Sequence, residues 1–200
     1  MTINNKNMGK SKNCLQLDPA RKFKIRVNPE GKILFVNNYF TEFTGYKVHE
    51  LILKDFSTLF DQDTPKMAMN NILHMIENQD KSYFFYKGKN KDGECYWGFV
   101  KSIQNFDEEG AFKGYKFEVK MLPLVSIHKI DNLMDILREI EKNAGAVAAE
   151  KYFEGYVEEK GFDNYKDFIL NVVEIDEKKA DKYFEIDADE EKQKKKKGWF

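Results

Sequence analysis

Residues 83–100 read YFFYKGKNKDGECYWGFV, and this stretch predicts a β-hairpin. Its two ends, 83–86 and 95–100, are rich in the aromatic side chains that favour strands. The Asp92-Gly93 pair between them is typical of a tight turn that joins antiparallel strands. Aromatic residues make up 14% of the 200 residues, so the chain has enough large apolar side chains to bury a real core.

Three more strands surround this hairpin in the sequence. Residues 23–27 alternate apolar and basic side chains with a period of two, as a half-buried strand does. Residues 33–36 follow the turn residues 28–31 (NPEG), and residues 115–119 follow a second turn at 107–110 (DEEG). The order of strands and short helical segments predicts an α+β fold, a five-stranded antiparallel sheet with short helices on one side.

One long helix is predicted between the second and third strands. Thr64 is a suitable cap for its start, and Pro65 fits the first helical position because no N–H is needed there. An apolar stripe then follows at helical spacing: Met69, Ile72, Leu73 and Ile76.

The composition changes along the chain and divides it into four parts. Residues 1–22 are polar and predict a loose arm or a short cap, and residues 23–122 hold the α+β domain. Residues 123–173 predict a helical extension, and residues 174–200 a charged tail that we expect to be disordered. The apolar faces of the extension are left with three alternatives: to fold back on the sheet, to dimerise with a second copy, or to contact a partner.

Charge and composition exclude several classes of protein. Lys plus Arg is 33 and Asp plus Glu is 34, and this net charge of −1 argues against a nucleic-acid partner. No apolar run is long enough to span a membrane, and the N-terminus lacks a secretory signal. Cys14 and Cys95 indicate no disulfide framework, so we expect a cytoplasmic protein in a reducing compartment.

The order of these elements and turns resembles the PAS domain, a sensory module of signal-transduction proteins. The resemblance covers residues 23–122 and rests on a series of motifs: 31–37 (GKILFVN), 40–46 (FTEFTGY), 49–52 (HELI), 89–93 (KNKDG), Tyr96-Trp97 and Gly114-Tyr115. The turn Asp63-Thr64-Pro65 and the Tyr96-Trp97 pair are most similar to the flavin-binding PAS domains of bacterial aerotaxis and energy-taxis receptors.

The resemblance implies two cofactors to consider. The aerotaxis subgroup implies FAD, but its usual Arg-His is replaced here by Phe60 and Asp61, which removes positive charge near the cofactor. The light-sensing branch uses a reactive Cys in an Asn-Cys-Arg-Phe-Leu run that this chain lacks. Haem-binding members place a His on the long helix, where His74 stands, but helical geometry places His74 roughly 140° from the apolar stripe. We therefore expect His74 to face solvent, so that it is a metal ligand only if haem is bound.

The concave inner face of such a sheet is the expected binding site. The cofactor-binding residues we predict are Asn37, Phe40, Phe43, Phe60, Asp63, Met69, Ile72, Leu73, Trp97 and Phe99. Each apolar member has core packing as its alternative role. For Asn37 the alternative is a helix cap, whereas Trp97 offers a stacking face and one N–H donor.

No phosphate loop, metal motif or nucleophile motif is present, so the sequence predicts no catalytic residue and no enzyme. The favoured hypothesis is a soluble single-PAS sensor. It binds a small ligand or cofactor and relays redox, energy or chemical status through residues 124–142, as a homodimer or in complex with a signalling protein such as a chemoreceptor. The alternatives are a cofactor-free interaction or dimerisation module and a haem-binding gas sensor.

Overall fold

The computed structural model describes residues 14–189 of the chain. Its elements are, in order, β1 (Phe23–Val27), β2 (Ile33–Val36), α1 (Asn38–Thr44), α2 (Val48–Leu51), a 3-10 helix (Phe56–Leu59), α3 (Lys66–Asn78), β3 (Lys81–Lys89), β4 (Cys95–Phe106), β5 (Phe112–Met121), α4 (Leu124–Ala144), α5 (Ala146–Glu159), α6 (Tyr165–Val173) and α7 (Glu177–Glu185). The strands form one sheet in the order β2-β1-β5-β4-β3, and all neighbouring strands are antiparallel. The predicted five-stranded α+β architecture is confirmed.

The β3 and β4 part of the sheet is buried on both faces, and these two strands contribute side chains alternately to two cores, whereas β1, β2 and β5 contribute to the inner core. On the inner face, Phe84, Tyr86 and Tyr96 pack with residues of β1, β5 and the helices α1 to α3. On the outer face, Tyr83, Phe85, Trp97 and Phe99 pack against the helices α4 to α7. This double burial explains why residues 83–86 are continuously aromatic rather than alternating with polar residues.

The helical extension folds back on the outer face of the sheet. Of the three alternatives that the sequence leaves open, this one is realised by α4, whose Ile130 and Leu137 are fully buried. α4 begins three residues after the end of β5, so the last strand and the first helix of the extension form a short, continuous connection.

The predicted disordered tail is wrong for residues 174–189, which cap α6 and form α7 and the segment after it. Residues 177–185 form α7, whose Ala180 and Phe184 are buried four residues apart on one face. The α7 carboxylate Asp181 accepts hydrogen bonds from Lys81, Tyr83 and Lys101 at 2.7–2.8 Å. The acids of this segment therefore pair with lysines of the sheet, which a count of charges along the chain does not reveal. The rest of the predicted tail, 190–200, lies outside the described residues.

A disulfide joins Cys14 to Cys95 across 81 residues of sequence. Beside it, Leu15 forms a parallel bridge to Tyr96, and Leu17 is 2% exposed. The prediction that the two cysteines form no disulfide is wrong. The cysteines therefore no longer support the expectation of a reducing compartment. Proximity of the two residues comes from the fold, because nothing in their sequence spacing indicates it. The predicted arm's first 13 residues lie outside the described part of the chain.

Within residues 14–189, none of the helices combines the length and apolar character that crossing a membrane requires.

Candidate functional site

The centre of the inner face is filled by aromatic side chains rather than hollow. Tyr86 and Tyr96, which we call the tyrosine pair, have their hydroxyl oxygens 2.8 Å apart, and the Tyr86 hydroxyl donates to the Leu59 carbonyl at 2.6 Å. Their rings have room because Gly88 lacks a side chain: a Cβ there would lie 2.5 Å from Tyr96 Cζ and 2.6 Å from the Tyr86 hydroxyl oxygen. Burial raises the pKa of both tyrosines, so both remain neutral phenols.

Space remains at one end of the inner face, in a cleft of about 310 Å³ that we call the inner cleft. It lies between α3, the 3-10 helix, the β1–β2 turn and β5. Its apolar walls are Val27, Pro29, Phe56, Phe60, Met69, Ile72, Leu73, Ile76, Tyr115 and Phe117. Carboxylates at Glu30, Asp55 and Glu77 complete the lining, so the inner cleft is an apolar space with acidic groups around it.

The turn between β1 and β2 holds the 3-10 helix in place and so keeps the inner cleft open. Gly31 takes a positive φ of 75°, which glycine adopts without steric cost, and its carbonyl accepts a hydrogen bond from Phe56 N at 2.9 Å. The Phe56 ring then stacks on Phe117 of β5, with centroids 4.2 Å apart. The predicted site lacked the other apolar lining residues: Val27, Pro29, Phe56, Ile76, Tyr115 and Phe117. For Ile76 the available signal was its place in the apolar stripe of α3.

Four of the predicted site residues line the inner cleft together: Phe60, Met69, Ile72 and Leu73. Phe40 is fully buried against Phe23, and Phe43 is half-buried against Phe23 and Tyr96, so both belong to the aromatic core.

Asn37 takes the capping role. Its Oδ1 accepts from the backbone N–H groups of Phe40 at 3.3 Å and Lys24 at 3.0 Å, while its Nδ2 donates to the Lys22 carbonyl at 2.9 Å. The side-chain amide therefore ties the start of α1 to β1 and does not line the inner cleft.

Trp97 and Phe99 lie on the outer face of the sheet, so contrary to the prediction neither of them lines the inner cleft. Trp97 does line a second cavity together with the predicted residues Phe60, Asp63 and Ile72. Both belong to the core under the C-terminal helices. Successive side chains of a strand point to opposite faces, and Trp97 is one position out of phase with the inner-facing Tyr96. The Lys87 ammonium lies 5.1 Å from the Trp97 ring centroid.

The start of α3 differs from the prediction at Thr64. The structure places the N-cap at Pro65 with no side-chain cap, and Thr64 Oγ1 is buried with no hydrogen-bond partner among the described residues. Asp63 lies in the same loop, outside the inner cleft, beside a second cavity under α4. Asp61, two residues before Asp63, is buried and forms an ion pair with Lys89 at 2.8 Å.

His74 is exposed on the side of α3 that faces α5, away from the inner cleft. This confirms the orientation derived from helical spacing. Among residues 14–189, no group of His, Cys, Asp and Glu side chains is arranged to hold a metal ion.

Residues 23–119 match a family model described as PAS domain. They form a PAS domain. The match covers nearly the whole sheet and all the helices of its inner face, so the PAS domain comprises the inner cleft, whereas α4 to α7 are additional to it.

Solved structures similar to this chain are also PAS or light-oxygen-voltage (LOV) domains. The PAS domain of a protein from Colwellia psychrerythraea is 17% identical with a TM-score of 0.45, covering 50% of this chain and 85% of its own. The LOV domain of the blue-light photoreceptor Aureochrome1 is 16% identical with a TM-score of 0.48, covering 56% and 87%. A LOV domain studied with a flavin analogue is 17% identical with a TM-score of 0.48, covering 62% and 89%. No curated protein matches the chain.

The residues of the inner cleft do not fit FAD. Its pyrophosphate needs positive charge or helix N-termini, as anionic phosphates do generally. Among the described residues, none that lines the inner cleft is Lys or Arg, whereas three are Asp or Glu. Lys32, near the cleft, forms an ion pair with Asp55 at 3.0 Å.

Proposed function

We propose that this PAS domain is the sensor of a signal-transduction protein, in which the inner cleft binds a small molecule and α4 responds to it. One observation carries the proposal. Phe60 and Ile72 line the inner cleft and, on their other side, a second cavity whose far wall includes Met134 of α4. A ligand that displaces these two side chains therefore changes the packing under the helical extension. The proposal assigns the protein no catalytic role.

The lining of the inner cleft defines the class of ligand. A volume of about 310 Å³ is at the lower end of the range for small-molecule sites, roughly 300–1,000 Å³. The walls are apolar, and the acidic groups Glu30, Asp55 and Glu77 repel anions. A small apolar molecule, neutral or positively charged, fits these properties, and FAD does not.

The response travels through a contact that is already tightly packed. α4 buries Ile127, Ile130 and Leu137 against the sheet, and it is joined to β5 by two residues. A ligand shifts such a contact only if it binds two arrangements of the domain with different affinity. We propose that α4 then presents a changed surface to a partner, either a second copy or a signalling protein, and so reports the chemical or redox state that the ligand represents.

A cofactor-free interaction module is the second candidate, because the tyrosine pair and its neighbours fill most of the inner face. In that case the inner cleft is a surface depression, and the domain serves as a rigid base for the helical extension.

Native mass spectrometry and an absorbance spectrum of freshly purified protein distinguish the two candidates. If the sensor proposal is correct, the purified protein retains a small molecule, or an added apolar cation changes the hydrogen exchange of both α3 and α4.

Two variants locate the binding site. Leu73→Trp fills the inner cleft, while Leu34→Trp adds the same ring on the outer side of β2, away from the cleft. Binding lost in the first variant and kept in the second supports the sensor. A protein that carries and binds no small molecule, or two variants that bind equally, contradicts it, and a flavin spectrum contradicts the ligand class.

A further inference from the structure

A second cavity lies outside the inner cleft, where the PAS domain meets its helical extension. It is enclosed by the start of α3, the outer side of β3 and β4, and α4, and we call it the junction cavity. Its volume of about 20 Å³ accommodates one water-sized group. A surface groove of about 520 Å³, which we call the outer groove, lies directly beside it, and Asp63, Thr64, Pro65 and Arg138 line both.

Two of the residues that line the junction cavity carry a polar atom without a hydrogen-bond partner among the described residues. The atoms are Trp97 Nε1 and Thr64 Oγ1, both shielded from solvent, and the Trp97 side chain is only 4% exposed. A buried donor without an acceptor costs about 1–3 kcal/mol, so native proteins rarely keep one without reason. Since an indole N–H can only donate, the group that satisfies it is an acceptor such as an oxygen.

The N-terminus of α3, a helix of 13 residues without a side-chain cap, lies beside the junction cavity. Helix N-termini carry free N–H groups and partial positive charge, which favour an anion. The chain itself places a carboxylate there, because Met67 N donates to Glu141 Oε2 of α4, although at a long distance of 3.4 Å. A carboxylate is therefore sterically possible at this helix end and is held only weakly.

The outer groove adds charged side chains around the opening. Lys66, Arg138 and Lys142 line it on the basic side, against Asp63 and Glu141 on the acidic side. Deeper in the junction cavity, Lys87 is neutralised by Asp131 at 3.0 Å. Arg138 is likewise paired with Asp135, so Lys66 and Lys142 face Asp63 and Glu141 with no excess charge. A ligand with a single negative charge is accommodated there in place of Glu141, whereas a polyanion is not.

We propose that the junction cavity and the outer groove form a binding site for a small monocarboxylate. One carboxylate oxygen enters the junction cavity and accepts hydrogen bonds from Trp97 Nε1–H and Thr64 Oγ–H. The second oxygen faces the N-terminus of α3, where it replaces Glu141, and the organic part lies in the outer groove. This goes beyond the proposed function because it concerns a different cavity and requires no ligand in the inner cleft.

Binding would act on the contact between the PAS domain and the extension. Glu141 belongs to α4 and Met67 to α3, so a ligand that takes the place of Glu141 removes a polar contact between the two helices. We expect that ligand binding at the junction cavity loosens the C-terminal end of α4.

The test uses the indole N–H resonance of Trp97 in a ¹H–¹⁵N spectrum, in a Trp199→Phe background so that a single indole remains. Acetate is the probe and acetamide its neutral analogue. We expect a saturable shift with acetate in the millimolar range and none with acetamide. Thr64→Val should weaken acetate binding about tenfold or more, since it removes a hydrogen bond to a charged group. Thr58→Val, at an exposed hydroxyl that bonds Asp55 O, is the matched control and should leave binding unchanged.

Three results would overturn the proposal. They are an indole resonance that acetate does not shift, equal shifts with acetate and acetamide, and a long-lived water at the Trp97 N–H that acetate does not displace. The variant Leu73→Trp separates this site from the inner cleft. It should leave the acetate response intact, so that failure of either site is recognised independently.

Discussion

The tyrosine pair allows a prediction in which two similar substitutions have unequal costs. The Tyr86 hydroxyl has one proton, which it donates to the Leu59 carbonyl. The proton between the two hydroxyls must therefore come from Tyr96, which makes Tyr86 both donor and acceptor and Tyr96 only a donor.

The two Phe substitutions should differ for this reason. Tyr86→Phe removes a hydroxyl that satisfies two buried groups, the Tyr96 O–H and the Leu59 carbonyl, each of which costs about 1–3 kcal/mol when left unpaired. Tyr96→Phe leaves the bond from Tyr86 to Leu59 intact and should cost about 1 kcal/mol. We expect a loss of about 2–4 kcal/mol in the free energy of unfolding for Tyr86→Phe, and a double variant less costly than the sum of the single ones.

Urea denaturation of the wild type, the two single variants and the double variant measures these differences. The slope with urea should be the same in all four, which shows that only stability has changed. If Tyr96→Phe is as costly as Tyr86→Phe, or if the two losses simply add, the assigned direction of the hydrogen bonds is incorrect.

Three further predictions concern pH and the disulfide. Burial raises the pKa of both tyrosines of the pair above the unfolded value of about 10, so the folded state keeps protons that the unfolded state loses. The free energy of unfolding should therefore fall as pH rises above about 10. A urea midpoint that stays constant from pH 9 to 11 would contradict this prediction. Burial opposes ionisation of Asp181, but hydrogen bonds from Lys101, Lys81 and Tyr83 outweigh this effect and lower the pKa of its carboxyl group. Asp181→Asn should therefore be less stable than the wild type at pH 7. The difference in free energy of unfolding should shrink as pH falls below about 4. Cys14→Ser opens a loop of 81 residues and should cost up to about 4.5 kcal/mol of chain entropy; an unchanged midpoint in non-reducing urea titrations would show that the bond does not form.

The candidate site was only partly predictable from the sequence, and the α3 residues show why. The spacing of Ile72 and Leu73 places them on one face of a helix, and both line the inner cleft. The aromatic ring of Trp97 suits a ligand equally well, yet it faces the other side of the sheet and lines the junction cavity instead of the inner cleft. In a strand buried on both faces, composition does not indicate which residues point inward, since alternate positions are equally apolar.

The sequence by itself determined the strands, the turns between them and the PAS family, because these depend on local periodicity and on residues with special backbone geometry. Only the tertiary structure decided that Cys14 meets Cys95, that Asp181 is held by lysines of the sheet, and that α4 covers the outer face. These contacts join residues from tens to a hundred positions apart in the chain. The sheet and the helices meet because their apolar surfaces exclude water from each other, and no local pattern specifies which surfaces meet.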